Sequence, residues 1–237
     1  MVQAMKAWTT LASAPGLEGQ QLLLQERDGV FVVRSGGREL MSSAHHHSEE
    51  AMSRIGLEGV RASRPVVLIG GLGLGYTLRA ALDAMPAGGR AVVAEISPAI
   101  VEWNRTFVAE LAGRPLEDPR VEVAVDDVAE VMRRTPGGFD CILLDVDNGP
   151  SAMSAQRNQR LFEAHGVSVI KAALRPGGVV VIWSAGPDAK LVKLMGQAGL
   201  EPHVERSAAR PGASATPHVL FVGKLSASRR HSGRRSV

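Results

Sequence analysis

Three carboxylates follow three apolar runs of the chain, and their chemistry could act together. Glu95, Asp127 and Asp145 each come at the end of such a run. A carboxylate accepts hydrogen bonds from hydroxyl or amino groups and attracts a cation. Glu95 therefore suits a ribose, Asp127 suits the amino group of adenine, and Asp145 suits an amine or the positive sulfur of a sulfonium. Each could instead cap a helix, an alternative that fits Asp126 best.

A glycine-rich turn precedes the first of these acids. Gly71, Gly73 and Gly75 come between a β-branched apolar run and an apolar helical pattern. Glycine permits positive φ and close approach of a ligand, and a helix N-terminus favours negative charge. Glu95 lies 20 residues beyond Gly75, where an acid can bind ribose hydroxyls. The dinucleotide pattern GxGxxG would need glycine at Tyr76, so we expect a nucleotide or nucleoside site, with a plain turn and a surface glutamate as the alternative.

Alternating strands and helices would bring these residues to one edge of a sheet. The apolar periodicity predicts strands at 66–70, 91–95, 121–125, 139–144 and 179–183, and helices at 74–85, 98–111, 127–134, 156–174 and 188–198. Two last runs, at 202–206 and 218–224, predict a terminal antiparallel strand pair. The alternation indicates an α/β fold, a Rossmann-like doubly wound, mostly parallel sheet that binds ligands beyond the carboxyl ends of its strands.

The region before this alternation has a different pattern. Two short strands around Asp28-Gly29, followed by a third near 38–41, predict a small N-terminal β-hairpin appendage, and a helix capped by Ser48 follows it. We therefore divide the chain into an irregular N-terminus at 1–20, a small β appendage at 21–45, a Rossmann-like domain at 46–225 and a disordered basic tail at 226–237.

Composition narrows the class of protein. The single cysteine, Cys141, excludes an internal disulfide and lies in an apolar run, so we expect a buried thiol. The sequence shows no signal-peptide pattern and no apolar run as long as a membrane span, so we expect a cytoplasmic protein with no membrane partner. The consecutive histidines 45–47 cannot all face one ion from a regular element, so we predict no metal site.

The net charge of +3 depends on the C-terminal tail. Residues 226–237 contain four arginines and no acid, which is typical of a disordered end. Binding of nucleic acid by this tail is the alternative, and we do not expect it. A homodimer is compatible with the sequence, which leaves the oligomeric state open.

The order of these motifs resembles a known family. The glycine turn, Glu95, Asp127, Asp145 and then Leu174–Gly178 before a strand resemble class I S-adenosylmethionine-dependent methyltransferases. The small β appendage, the Glu49-Glu50 helix and the acid-rich loop after the fourth strand resemble, more narrowly, spermidine synthases and their short homologues. The resemblance covers roughly residues 20–225.

This resemblance implies a role for each matching residue. Asp145 would position and deprotonate an attacking amine, and Asp147 is a second candidate for that role. The cofactor would be S-adenosylmethionine or its decarboxylated form. The glycines would pass beneath its methionine-derived part, Glu95 would bind the ribose and Asp127 the adenine. The implied cofactor-binding positions are Gly71, Gly73, Gly75, Glu95 and Asp127.

Two departures from the family concern the acceptor side. Ser48-Glu49-Glu50 replaces a tyrosine-histidine-glutamate segment, and the loop after the catalytic aspartate is shortened to Val146–Pro150. A diamine pocket needs carboxylates for both ends and aromatic walls, yet aromatic residues form only 4% of the chain. We therefore expect methyl transfer to an amine or another small nucleophile. The alternatives are aminopropyl transfer from decarboxylated S-adenosylmethionine to a diamine, and a non-catalytic nucleoside-binding or nucleic-acid-associated protein.

Overall fold

The computed structural model describes residues 6–16, 19–145, 160–207 and 218–227. The strands are β1 (Thr9–Pro15), β2 (Gln21–Arg27), β3 (Val30–Ser35), β4 (Arg38–Ser42), β5 (Val66–Gly70), β6 (Arg90–Ala94), β7 (Val121–Ala124), β8 (Phe139–Leu144), β9 (Leu174–Ser184), β10 (Leu200–Ser207) and β11 (His218–Leu225). The helices are α1 (His47–Glu58), α2 (Tyr76–Ala84), α3 (Pro98–Arg105), α4 (Val128–Arg134), α5 (Ala164–Ala173) and α6 (Ala189–Gln197). Within these ranges, no helix has both the length and the hydropathy to cross a membrane.

Strands β5 to β11 form a seven-stranded sheet in the order β10-β11-β9-β8-β5-β6-β7. Neighbouring strands are parallel except at β11, which runs antiparallel to both β9 and β10. This confirms the predicted Rossmann-like class and its terminal antiparallel pair. The chain moves outward from β5 to β7 and then returns to place β8 on the other side of β5. Ligands of open α/β sheets bind at such a switch point.

The central strands are buried on both faces. In β8, Cys141 and Leu143 pack in the apolar cluster that includes Met52 of α1, whereas Ile142 and Leu144 pack in the cluster on the opposite face. Burial on both sides explains why these strands are continuous apolar runs in the sequence. Cys141 is fully buried, which confirms the predicted core thiol.

The N-terminal region forms a separate antiparallel sheet of four strands in chain order. Strands β2, β3 and β4 confirm the predicted hairpin and third strand. The irregular structure expected for 1–20 is wrong at Thr9–Pro15, which pairs with β2. A register shift between Thr10 and Ala12 interrupts the period of two that would have indicated a strand. Residues 228–237 of the predicted basic tail lie outside the described residues.

Several helix limits differ in detail from the predictions: the helix predicted at 74–85 covers Tyr76–Ala84, and that predicted at 156–174 contains α5 at Ala164–Ala173 after a turn at 162–163. Ser97 caps α3 as predicted, because its hydroxyl accepts a hydrogen bond from the Ile100 N–H. The helix was predicted to reach residue 111 but ends at Arg105, and a short 3₁₀ turn follows at Ala109–Ala112. Ser48 is not the cap of α1, because it lies within the helix and its hydroxyl donates to a neighbouring side chain.

Candidate active site

The glycine turn after β5 has the backbone conformation that its glycines predicted. Gly71, Gly73 and Gly75 have φ values of 91°, 55° and 88°. A Cβ atom on Gly73 would have only Met41 Sδ nearby, at 3.8 Å, so the space above this residue is open. A Cβ atom on Gly75 would lie 3.1 Å from Asn104 Oδ1. Gly73 therefore leaves room for a ligand, whereas Gly75 is required by packing.

Asn104 holds this turn in place. Its side-chain amide donates to the carbonyl of Gly73 at 2.8 Å and to the carbonyl of Ile100 at 2.9 Å. The side chain is buried, so both hydrogen bonds are shielded from water. The sequence gave no signal that Asn104 would reach the glycine turn.

Glu95 lies beneath the same turn rather than on the surface. It is only 8% exposed. Its Oε2 accepts from the Leu72 N–H and its Oε1 from the Ser97 N–H, both at 2.8 Å. Burial raises the pKa of the carboxyl group, and these backbone hydrogen bonds oppose that rise. Glu95 therefore ties the glycine turn to the end of β6 through hydrogen bonds from backbone N–H groups of both segments. The binding of ribose by Glu95 stays a prediction.

Asp127, rather than Asp126, caps the helix that follows β7. Asp127 Oδ1 accepts from the Ala129 N–H at 2.7 Å at the start of α4. Asp126 instead pairs with Arg134 at 2.6 Å, and this contact lowers the pKa of its carboxyl group. The assignment of the cap to Asp126 is therefore wrong. The binding of adenine by Asp127 stays a prediction.

Asp145 lies at the switch point between β5 and β8. Its N–H donates to the carbonyl of Gly70 at 3.0 Å, which extends the pairing of these strands by one residue. Its Oδ2 accepts from the hydroxyl of Thr77, in the first turn of α2, at 3.2 Å. The other predicted acid of this loop, Asp147, lies outside the described residues.

A cavity of about 230 Å³ lies beside the glycine turn. Its lining includes Asp145 together with two further carboxylates, Glu39 and Glu49. Tyr76, the only tyrosine of the chain, and Trp183 add aromatic surface to its wall. The low aromatic content of the sequence suggested that no aromatic wall was present, but the fold brings these two aromatic side chains to the cavity. Gly73 is the one predicted cofactor residue in the described lining, whereas Glu95 contacts the turn from below.

His46, which directly precedes α1, supports one wall of this cavity. The ring of Tyr76 stacks on that of His46, with centroids 4.2 Å apart and planes at 14°. His46 Nδ1 lies 2.8 Å from Glu50 Oε1, which holds the imidazole in position. Burial, followed by the charges of Glu49 and Glu50, raises the pKa of Tyr76, so its hydroxyl stays protonated at neutral pH. Within the described ranges no cluster of three or more potential metal ligands occurs.

The cavity wall also contains a group of hydrogen-bonded side chains that the sequence did not reveal. Ser48 Oγ donates to Glu49 Oε2 at 2.6 Å and lies 3.0 Å from Nδ1 of His218. The His218 ring also meets Trp183 edge-on, with centroids 4.7 Å apart. Burial is the main cause that raises the pKa of Glu49 and also the main cause that lowers the pKa of His218. His218 follows Ser48 by 170 positions, so only the sheet topology brings them together.

Comparisons with known proteins show which family the chain resembles. Residues 45–196 match the family model of the spermine/spermidine synthase domain. The chain is 30% identical over 172 residues to the polyamine aminopropyltransferase of Mycobacterium tuberculosis, covering 71% of this chain and 31% of that protein. It is 32% identical over 123 residues to polyamine aminopropyltransferase 2 of Pseudomonas aeruginosa, covering 50% of this chain and 33% of that protein. The chain thus spans about a third of the length of these curated relatives.

The fold has solved counterparts as well. A spermidine synthase in complex with the transition state analogue AdoDATO aligns with a TM-score of 0.76 at 18% identity, covering 92% of this chain and 74% of that chain. At this identity the likeness shows the fold. The region matched by the family model includes the glycine turn and the three acids Glu95, Asp127 and Asp145. The chain therefore belongs to the spermine/spermidine synthase domain family.

Proposed function

We propose that the protein transfers an aminopropyl group from decarboxylated S-adenosylmethionine to an amine. The observation that supports this most directly is the charge of the cavity beside the glycine turn. Glu39, Glu49 and Asp145 contribute to its wall, and no lysine or arginine occurs among the described lining residues. Such a wall attracts ammonium groups and repels a carboxylate.

This charge favours aminopropyl transfer over the methyl transfer expected from the sequence. Intact S-adenosylmethionine has a carboxylate that would need a cationic partner, whereas its decarboxylated form ends in an ammonium group. The acceptor amine is also a cation before it reacts. The aromatic faces of Tyr76 and Trp183 can pack against methylene groups and attract ammonium groups. The names of the two relatives described above, both polyamine aminopropyltransferases, support the same choice.

The glycine turn fits the nucleoside part of this cofactor. The open space above Gly73 admits a ligand, and Glu95 holds the turn that borders this space. When bound, the cofactor would supply a carbon already activated by the neighbouring sulfonium, whose bond to that carbon breaks as the amine attacks and whose sulfur leaves as a neutral thioether. Most of the rate enhancement that the protein provides would then come from holding the amine in line with that carbon.

The protein's own residues would hold the acceptor and remove its proton. Asp145, oriented by Thr77, would accept a hydrogen bond from the attacking amine and take its proton as the new bond forms. Glu49 and Glu39 would bind ammonium groups by charge. The amine nitrogen attacks as a free base, so a carboxylate next to it serves both to orient it and to accept the proton.

The decisive experiment compares the two cofactors with one panel of amines. The purified protein is incubated with decarboxylated or intact S-adenosylmethionine and with mono-, di- and triamines, and the products are identified by mass. We expect products that contain an added aminopropyl group, formed only from the decarboxylated cofactor. The melting temperature should also rise more with the decarboxylated cofactor, because a ligand that binds the folded state stabilises it. Methylated amines formed from the intact cofactor, or no transfer to any amine, would refute the proposal.

A further inference from the structure

Three side chains form a continuous hydrogen-bonded chain at the cavity wall. His218 Nδ1 lies 3.0 Å from Ser48 Oγ, and the same oxygen lies 2.6 Å from Glu49 Oε2. All three residues line the cavity that also contains Asp145. Ser48 is buried, so water does not compete freely for its hydroxyl group.

The number of available hydrogens fixes which group donates in each of these two hydrogen bonds. A serine hydroxyl has one hydrogen to donate, and Ser48 gives it to the Glu49 carboxylate. The contact between Ser48 Oγ and His218 Nδ1 therefore needs a hydrogen on Nδ1. His218 must donate to Ser48 while Ser48 donates to Glu49. Such bonds polarise one another, so the imidazole strengthens the hydrogen bond that the carboxylate receives.

His218 is itself held in place by its surroundings. It is the first residue of β11, where it pairs with Ser207, and its ring meets Trp183 edge-on at 4.7 Å. Burial lowers the pKa of its ring, and the nearby His45 adds to that effect. A neutral imidazole suits a cavity that attracts cations, because a protonated ring would repel an incoming ammonium group.

We propose that His218 is a positioning residue for the acceptor amine: acting through the Ser48 hydroxyl, it holds the Glu49 carboxylate in the orientation that binds the ammonium group. This inference rests on the proposed function, since it assigns a task within the acceptor side of that site. Without the donor on His218, the Ser48 hydroxyl is free to rotate and Glu49 loses its fixed partner. The effect therefore falls on amine binding and not on cofactor binding or turnover.

Four variants test the hydrogen-bonded series His218–Ser48–Glu49. His218→Phe keeps a ring beside Trp183 but removes the donor, whereas His218→Asn places an amide N–H at nearly the position of Nδ1. Ser48→Ala removes the link itself, and the fourth variant combines Ser48→Ala with His218→Phe. The measured quantities are kcat and the KM of each substrate, with 1,4-diaminobutane as the amine, together with the melting temperature.

We expect His218→Phe and Ser48→Ala each to raise the KM for the amine about tenfold, because each weakens a hydrogen bond to a charged group. The KM for the cofactor and kcat should stay within about twofold, a change too small to represent a lost hydrogen bond. His218→Asn should restore most of the amine affinity. The double variant should be no worse than Ser48→Ala alone, because coupled residues give non-additive effects. The matched control is His203→Phe on the exposed outer strand β10, which should change neither KM.

Additive effects in the double variant would overturn the inference, as would an unchanged amine KM in a folded His218→Phe protein or a failure of His218→Asn to restore affinity. The nitrogen-15 spectrum of His218 gives a test that needs no activity: we expect the neutral ring with hydrogen on Nδ1, and hydrogen on Nε2 alone would overturn the chain. If the wild-type protein transfers to no amine, the proposed function fails and this role fails with it. A wild-type protein that transfers an aminopropyl group but shows additive variants refutes the positioning role alone.

Discussion

The hydroxyl of Thr77 donates to Asp145 Oδ2 across 3.2 Å and so joins the first turn of α2 to the end of β8. Thr77 is also held from behind, because its carbonyl accepts a hydrogen bond from Ser53 Oγ of α1 at 2.8 Å. Both Thr77 and Ser53 are buried. The orientation of the proposed base thus depends on two helices on one face of the sheet.

The first prediction concerns Asp145. Replacement by Asn keeps the size of the side chain and its hydrogen bond from Thr77 but removes the charge and the base. We expect turnover to fall by about 10²-fold or more, the usual scale for a lost general base. Cofactor binding and melting temperature should hold. Turnover near the wild-type rate would make Asp145 a structural residue and direct attention to Asp147.

The second prediction concerns Thr77 as the partner of that base. Thr77→Val keeps the shape of the side chain and removes the hydroxyl, whereas Thr77→Ser keeps the hydroxyl as a matched control. Since hydrogen bonds to charged groups are worth about 1.5–3 kcal/mol, we expect kcat to fall about tenfold in the Val variant. The Ser variant should stay within about threefold of wild type, because it keeps that hydrogen bond. Equal kcat values in both variants would show that the contact does not orient Asp145.

The third prediction concerns Glu95. Its carboxylate accepts from Leu72 and Ser97, so Glu95→Ala should weaken the turn as well as the cofactor site. We expect cofactor affinity to fall by about 1.5–3 kcal/mol, the scale of a hydrogen bond to a charged group, with a lower melting temperature. Calorimetric titration and thermal unfolding measure the two effects separately. Unchanged cofactor affinity would remove Glu95 from the binding site.

The fourth prediction separates two glycines of the turn. Both have positive φ, so a side chain at either position introduces backbone strain of about 1–3 kcal/mol. Gly73→Val projects into open space above the turn and should abolish cofactor binding. Gly75→Val meets Asn104 at once and should lower the melting temperature further. Normal cofactor binding by Gly73→Val would show that the ligand does not pass over this residue.

The fifth prediction concerns the pH dependence of amine binding. Burial raises the pKa of Glu49 above its ordinary 4.5, and the hydrogen bond from Ser48 partly opposes this. Glu49 therefore loses its charge as pH falls through that raised pKa. Amine affinity should fall over the same pH range, which lies above the range in which a surface glutamate becomes protonated. Glu49→Gln should remove this step, and Ser48→Ala should move it to higher pH. Calorimetric titration of 1,4-diaminobutane across the acidic range measures the step. Glu58→Gln, on an exposed position of α1, should leave it in place.

Local patterns were sufficient to locate the glycine turn and Glu95, the proposed nucleoside side of the site. The glycine turn and Glu95 are close in sequence and follow strands buried on both faces, so apolar runs and spacing located both. The acceptor side is assembled from distant segments instead. Glu39, Ser48 and His218 have ordinary surroundings in the sequence and meet only after both sheets have formed. Overall composition therefore understated the acidic and aromatic character of the acceptor pocket.

The position of β11 in the sheet has a consequence for the order in which the site is synthesised. This strand lies between β9 and β10, although it follows both in the chain. When β10 has been synthesised, the glycine turn and Asp145 already exist, but His218 has not yet been added to the chain. Strand β11 must then enter between two strands that were synthesised earlier. During synthesis, the glycine turn and Asp145 are therefore available before His218, which completes the proposed acceptor side of the site.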